Sequence, residues 1–138
     1  MLRSALAVLA GIAVLTATSF AIEAAADPLL LRMFPDALPN RAALSHNLQA
    51  ALFLFAYSAL CVAAGGYVTA WLARRYPVRH AAIMGAVQVA LTAWAMFSIR
   101  EVAPLRNWIV SMLLTVPAAW SGGMLRARKV RQSSLDSR

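Results

Sequence analysis

The stretch Leu48–Gly85, LQAALFLFAYSALCVAAGGYVTAWLARRYPVRHAAIMG, sets the architecture. From Leu48 to Leu72 it carries no charged residue, and about 20 predominantly apolar residues in helical form cross a hydrocarbon core of about 30 Å. Arg74, Arg75, Arg79 and His80 then crowd around Pro77 before apolar sequence resumes at Ala81. An apolar span, a short basic hinge and a second apolar span describe a helical hairpin whose turn lies outside the lipid. Trp71 and Tyr76 suit the headgroup level as aromatic anchors, and His80 takes an interfacial place beside them.

Across the rest of the chain, the same length criterion yields four spans in all: Ser4 to Ala25, Leu48 to Leu72, Ala81 to Ile99 and Pro104 to Leu125. No acid or base sits near any midpoint, and Gln88 is the most polar interior residue. Alternating strand patterns are missing, so a β-barrel does not compete. The expected fold is all-α: a polytopic membrane protein built as an antiparallel bundle of four transmembrane helices. Residues 1–126 form one transmembrane domain and 127–138 a basic polar cytoplasmic tail.

Composition agrees. Of 138 residues, 62% are hydrophobic and 13% charged, against about 45–50% and about 25% in soluble domains. The formal charge of +8 could suggest nucleic acid, but the charges gather at the ends of apolar runs instead of along a groove-sized face, and no nucleic-acid partner is expected. Twelve of the thirteen basic residues are Arg, with Lys129 the exception, which hints at a GC-rich bacterial genome. The single Cys61 lies within a span and reads as a small buried hydrophobe.

The first segment admits two readings. Arg3 and the "EAAAD" stretch before Pro28 imitate a secretory signal, but the apolar run from Ala5 to Ile22 exceeds the usual h-region of about 7–15 residues. The uncleaved helix is preferred. Between the first and second spans, Pro28, Pro35 and Pro39 are expected to break up any long helix. The Leu29 to Phe34 patch would rest on the interface, and Asn40 or Ser45 would cap the second helix.

Cytoplasmic loops carry the Lys/Arg excess. One side collects Arg3, Arg74, Arg75, Arg79, Arg126, Arg128, Lys129, Arg131 and Arg138; the other has Arg32, Arg41, Arg100 and Arg106, diluted by Glu23, Asp27, Asp36 and Glu101. Nine against four places both termini in the cytoplasm, and a bacterial inner membrane is the expected location. Arg74, Arg75, Arg79, Arg126, Arg128 and Lys129 are the residues expected at anionic lipid headgroups, each worth about 1 kcal/mol near the surface.

Membrane helices associate through close packing of small residues. The second span has Ala56, Ala59, Ala63, Gly66, Ala70 and Ala73 at spacings of three and four, with Phe53, Tyr57, Leu60, Tyr67 and Trp71 on its other face, which implies packing on one face only. Gly11 in the first span, Gly85 and Gln88 in the third, and Thr115 and Gly122 in the fourth continue the device. Gln88 is expected to hydrogen-bond to Thr18, Ser58 or Thr115, and Pro117 to kink the fourth helix. The average spacing favours left-handed crossings near +20°. "AAGGYVTAWLARR" and "AAWSGGMLRARKVR" repeat a Gly-Gly doublet followed by an apolar turn and a basic run.

For catalysis the chain offers little. His46 and His80 flank the second span on opposite membrane sides, Glu23 and Glu101 lie at the outer edge, and no hydrolase, zinc or phosphate-loop motif occurs. No catalytic residue, cofactor or metal is assigned. Coupled transport calls for an intramembrane ionisable residue, and none is evident. The reading preferred is an accessory or scaffold protein that packs against a membrane-protein partner or a second copy of itself; a small oligomeric transporter or channel is the alternative.

The matching positions Gly65, Gly66, Tyr67, Ala70, Ala73, Pro77, His80, Ala81 and Gly85, with the terminal "PAAWSGGMLR", resemble a pattern in small four-helix bacterial membrane proteins that lack a characterised activity. The resemblance implies the same four-helix architecture and adds no activity. It also implies that His80 and Tyr67 are worth testing for more than anchoring.

Overall fold

The computed structural model describes residues 2–35, 41–73 and 76–136. Five helices follow one another: α1 (Leu2–Met33), α2 (Arg41–His46), α3 (Leu48–Leu72), α4 (Pro77–Ser98) and α5 (Leu105–Asp136), with a 3₁₀ turn at Arg100–Val102. There is no strand among the described residues. α1, α3, α4 and α5 are each long and apolar enough to cross a membrane, and they form an all-helical bundle.

α3 has the expected bounds because both of its ends are punctuated. Asn47 caps it, accepting from the backbone N–H of Gln49 (3.0 Å) and Ala50 (3.2 Å), so the cap is neither of the residues expected; Ser45 bonds elsewhere and Asn40 lies outside the described residues. α4 begins at Pro77, earlier than the expected Ala81, since proline's fixed φ suits the first helical position.

Two elements run further than the sequence suggested. α1 continues through Pro28 to Met33: the missing N–H removes one helical bond, to the Ala24 carbonyl, while Leu30 beyond it is buried with Leu44 and Ala50. The expected break at Pro28 does not occur. α5 likewise passes through Pro117 and carries the basic segment on to Asp136 as helix. At 32 residues each, α1 and α5 are about 48 Å long and exceed a bilayer core of about 30 Å. The surplus falls on opposite ends of the bundle.

Inside and outside are inverted relative to a water-soluble protein. Ala7, Ala50, Ala51, Ala70, Ala81 and Ala119 are buried, while Phe20, Leu60, Trp94 and Leu113 face outward, Trp94 with 76% of its surface exposed. So large an apolar exterior fits lipid and not water.

α3 packs extensively against α1, α4 and α5; α1 and α5 each meet both α3 and α4 and share no comparable interface with each other. The α3–α4 hairpin therefore separates the first and last spans. It also corrects the one-face reading of α3. A Cβ on Gly65 would come to 2.7 Å from the Gly11 carbonyl oxygen of α1, whereas one on Gly66 would overlap the Ala119 carbonyl of α5. Adjacent residues lie about 100° apart around a helix, so one doublet serves two interfaces. The second doublet does the same: a Cβ on Gly122 would overlap the Ala63 carbonyl of α3, and one on Gly123 would sit 2.7 Å from Ala81 Cβ of α4. Ala56, from the expected stripe, is exposed, and the burial of Gly65, Thr69, Ala119 and Gly123 forms the faces that the stripe omitted.

Candidate functional site

The short connection between α3 and α4 is flanked by two concavities with polar lining. α3 ends at Leu72, with the Ala73 N–H donating to the Thr69 carbonyl at 3.0 Å. Tyr76 then takes a left-handed conformation, φ 52°, the one non-glycine positive φ among the described residues. This reverses the chain, and Pro77 starts α4. The Tyr76 carbonyl oxygen accepts from the backbone N–H of Arg79 (3.1 Å) and of His80 (3.3 Å). His80 Nδ1 lies 3.0 Å from the same oxygen. A carbonyl cannot donate, so Nδ1 carries a proton and donates to it, and Nε2 is the ring nitrogen that points away from this bond. The Arg79 guanidinium carbon stands 5.4 Å from the centre of the Tyr76 ring, within cation–π range.

Two grooves flank this turn. One, of about 800 Å³, lies between α1, α3 and α4, with Arg3, Ser4 and His80 among its polar lining and Leu6, Ala10 and Leu72 among its apolar lining. The other, of about 660 Å³, lies between α3, α4 and α5 and is lined by Trp71, Pro77, Arg126 and Val130 among others. Arg3 and Arg126 thus belong to the same end of the bundle. Arg128, Lys129 and Arg131 are exposed on the extension of α5 at that end. Arg74 and Arg75, in the turn itself, lie outside the described residues.

The opposite end is held by polar bonds over long sequence separation. Asn107 Nδ2 donates to the Ser45 carbonyl oxygen at 2.6 Å, Arg106 Nη2 donates to the His46 carbonyl at 3.1 Å, and Ser45 Oγ donates to the Val102 carbonyl at 3.2 Å. The last carbonyls of α2 are thereby capped by side chains from the start of α5, the favourable arrangement at a helix C-terminus. Sequence reasoning passed over Asn107; an Asn next to Arg106 at the head of an apolar span was the available signal.

Of the expected packing residues, Gly11, Ala70, Gly66, Gly85 and Gly122 are buried, and Ala59 and Ala63 are half-buried between α3 and α5. Gln88 is half-buried, but no hydrogen bond joins its side chain to Thr18, Ser58 or Thr115 among the described residues. Thr18 donates to the Val14 and Leu15 carbonyls, Thr115 to Ser111, and Thr92 to the Gln88 carbonyl. The hydroxyls are spent within their own helices, a local way for Ser and Thr to satisfy themselves in an apolar surrounding. His46 and His80 lie at opposite ends, at Arg106 and at Arg3 respectively.

Between α3 and α5, a half-open crevice of about 10 Å³ is lined by Ser58, Ser111 and Thr115 among others. That is about the room needed by one water molecule.

No family model matches the chain, and neither a curated protein nor a solved structure matches it significantly.

Proposed function

We propose that this chain is an accessory or scaffold component of a bacterial inner membrane, packing through its outer faces against another membrane protein, with both termini cytoplasmic. The observation that supports this reading is the closed interior. α1, α3 and α5 meet at glycines where no Cβ fits, and the crevice between α3 and α5 has the size of one water. The larger concavities, about 360 to 800 Å³, lie at helix ends and open outward. A bundle of this kind presents surfaces instead of a path. The excess of basic residues at the end holding Arg3, Arg79, Arg126 and Lys129 supports the cytoplasmic placement of the termini.

Native mass spectrometry of the tagged full chain, released in mild detergent, tests the proposal. A stoichiometric second protein, lost when Trp94 and Phe97 on the outside of α4 are replaced by Ala, is the expected result. A homo-oligomer that conducts ions or solutes in liposomes would overturn it in favour of transport.

A further inference from the structure

The groove between α1, α3 and α4 has a polarity gradient along one helix. Arg3 and Ser4 line it at the start of α1, Leu6, Ala7 and Ala10 line it further along the same helix, and His80 lines it from α4. Seven residues separate Arg3 from Ala10, about 10 Å along the axis. The groove's volume of about 800 Å³ falls in the range of ligand sites, about 300–1,000 Å³. Arg3, Arg79, Arg126, Arg128, Lys129 and Arg131 all belong to this end, while Glu23, Asp27 and Glu101 belong to the other. A cationic mouth leading into an apolar trough is complementary to an anionic amphiphile. A soluble anion would use the mouth and leave the trough empty.

His80 lines the same groove. Its Nδ1 lies 3.0 Å from the Tyr76 carbonyl oxygen, which leaves Nε2 as the ring atom available to a polar headgroup. Arg3 supplies the guanidinium that suits a phosphate. We propose that this groove holds one anionic phospholipid, its phosphate on Arg3, its polar headgroup beside His80 and the start of an acyl chain along Leu6 and Ala10. The inference rests on the membrane placement of the four helices and is independent of the accessory role.

The test uses the full chain in neutral detergent, titrated with phosphatidylglycerol, with phosphatidylcholine and with glycerol 1-phosphate, and read by native mass spectrometry. One phosphatidylglycerol per chain is expected to be retained in preference to phosphatidylcholine, with glycerol 1-phosphate not retained. Arg3→Gln should weaken retention about fivefold, and His80→Phe should weaken it too. Ala10→Phe, which fills the trough and leaves both polar groups in place, should abolish retention. Arg32→Gln, at the far end of α1, should leave it unchanged. Equal retention by the parent, Arg3→Gln and Ala10→Phe would overturn the proposal, as would an equal loss in Arg32→Gln, which would mean diffuse charge attraction. Retention of glycerol 1-phosphate as strong as that of the lipid would overturn it in favour of a soluble-anion site. Resistance of the same variants to alkaline extraction from membranes tests the membrane placement separately.

Discussion

Gly66 of α3 and Ala119 of α5 meet backbone to backbone, so that a Cβ on Gly66 would overlap the Ala119 carbonyl oxygen. Backbone cannot swing aside as a flexible side chain can. Gly66→Ala should therefore push α3 from α5 and cost about 1–3 kcal/mol, the range for overpacking a filled interior. Thermal unfolding in detergent measures it, and a variant melting with its parent would contradict the packing.

Gly122 faces the Ala63 carbonyl in the same interface. Once Gly66→Ala has separated the helices, Gly122→Ala meets less resistance. The double variant should lose less stability than the two single losses added together, with a coupling of about 0.5–3 kcal/mol. Strict additivity would mean that the two contacts do not share one helix displacement.

Asn107 is 8% exposed and donates to the Ser45 carbonyl at 2.6 Å. Asn107→Leu keeps the branched heavy-atom skeleton but leaves that carbonyl without this donor, at a cost of about 1–3 kcal/mol. The effect should be local: faster hydrogen exchange in α2 and at the head of α3, with the α3–α5 glycine contacts unaffected. Exchange that rises equally across all helices would argue that α2 is not a separately tethered element.

Tyr76 sits at φ 52°, where a side chain is disfavoured and a β-branched one most of all. Tyr76→Gly should cost little, because relief of the left-handed backbone offsets the loss of the Arg79 contact, worth about 0.5–1 kcal/mol at an exposed site. Tyr76→Val should destabilise the hairpin by roughly 1–3 kcal/mol. Melting temperatures in the reverse order would show that the turn is not left-handed.

Some elements were legible from local sequence and others were not. α3 came out from Leu48 to Leu72 because its apolar run ends abruptly at both sides. Pro28 misled because a proline was weighed as a helix breaker, whereas it removes one bond and leaves the remaining ladder of α1 intact. The basic segment after Leu125 reads as a polar tail by charge, yet Leu, Arg, Lys and Gln are all good helix formers and no Gly or Pro follows Gly123, so α5 continues. At the candidate site, His80 and the hinge stood out, while Arg3 and Ser4 did not. They are 76 or more positions away in the chain, and only the packing of α1 against α3 and α4 brings them to the groove.

Read along the chain, the residues were enough to establish that it is helical, that four of its segments can span a membrane, and that small residues rather than bulky ones would fill the interior. These properties are sums over neighbouring residues, of apolar length, charge and side-chain size, and need no partner to be evaluated. Tertiary packing settled which glycine of each doublet faces which helix, that Asn107 would cap α2 across 62 residues, and that α1 and α5 would stand apart with a groove on each side of the α3–α4 turn. Those outcomes depend on the rotation and depth of each helix relative to the others. A helix such as α3, apolar nearly all round, carries too little one-sidedness in its sequence to set that rotation; the backbone approach permitted at Gly65, Gly66, Gly122 and Gly123 sets it instead.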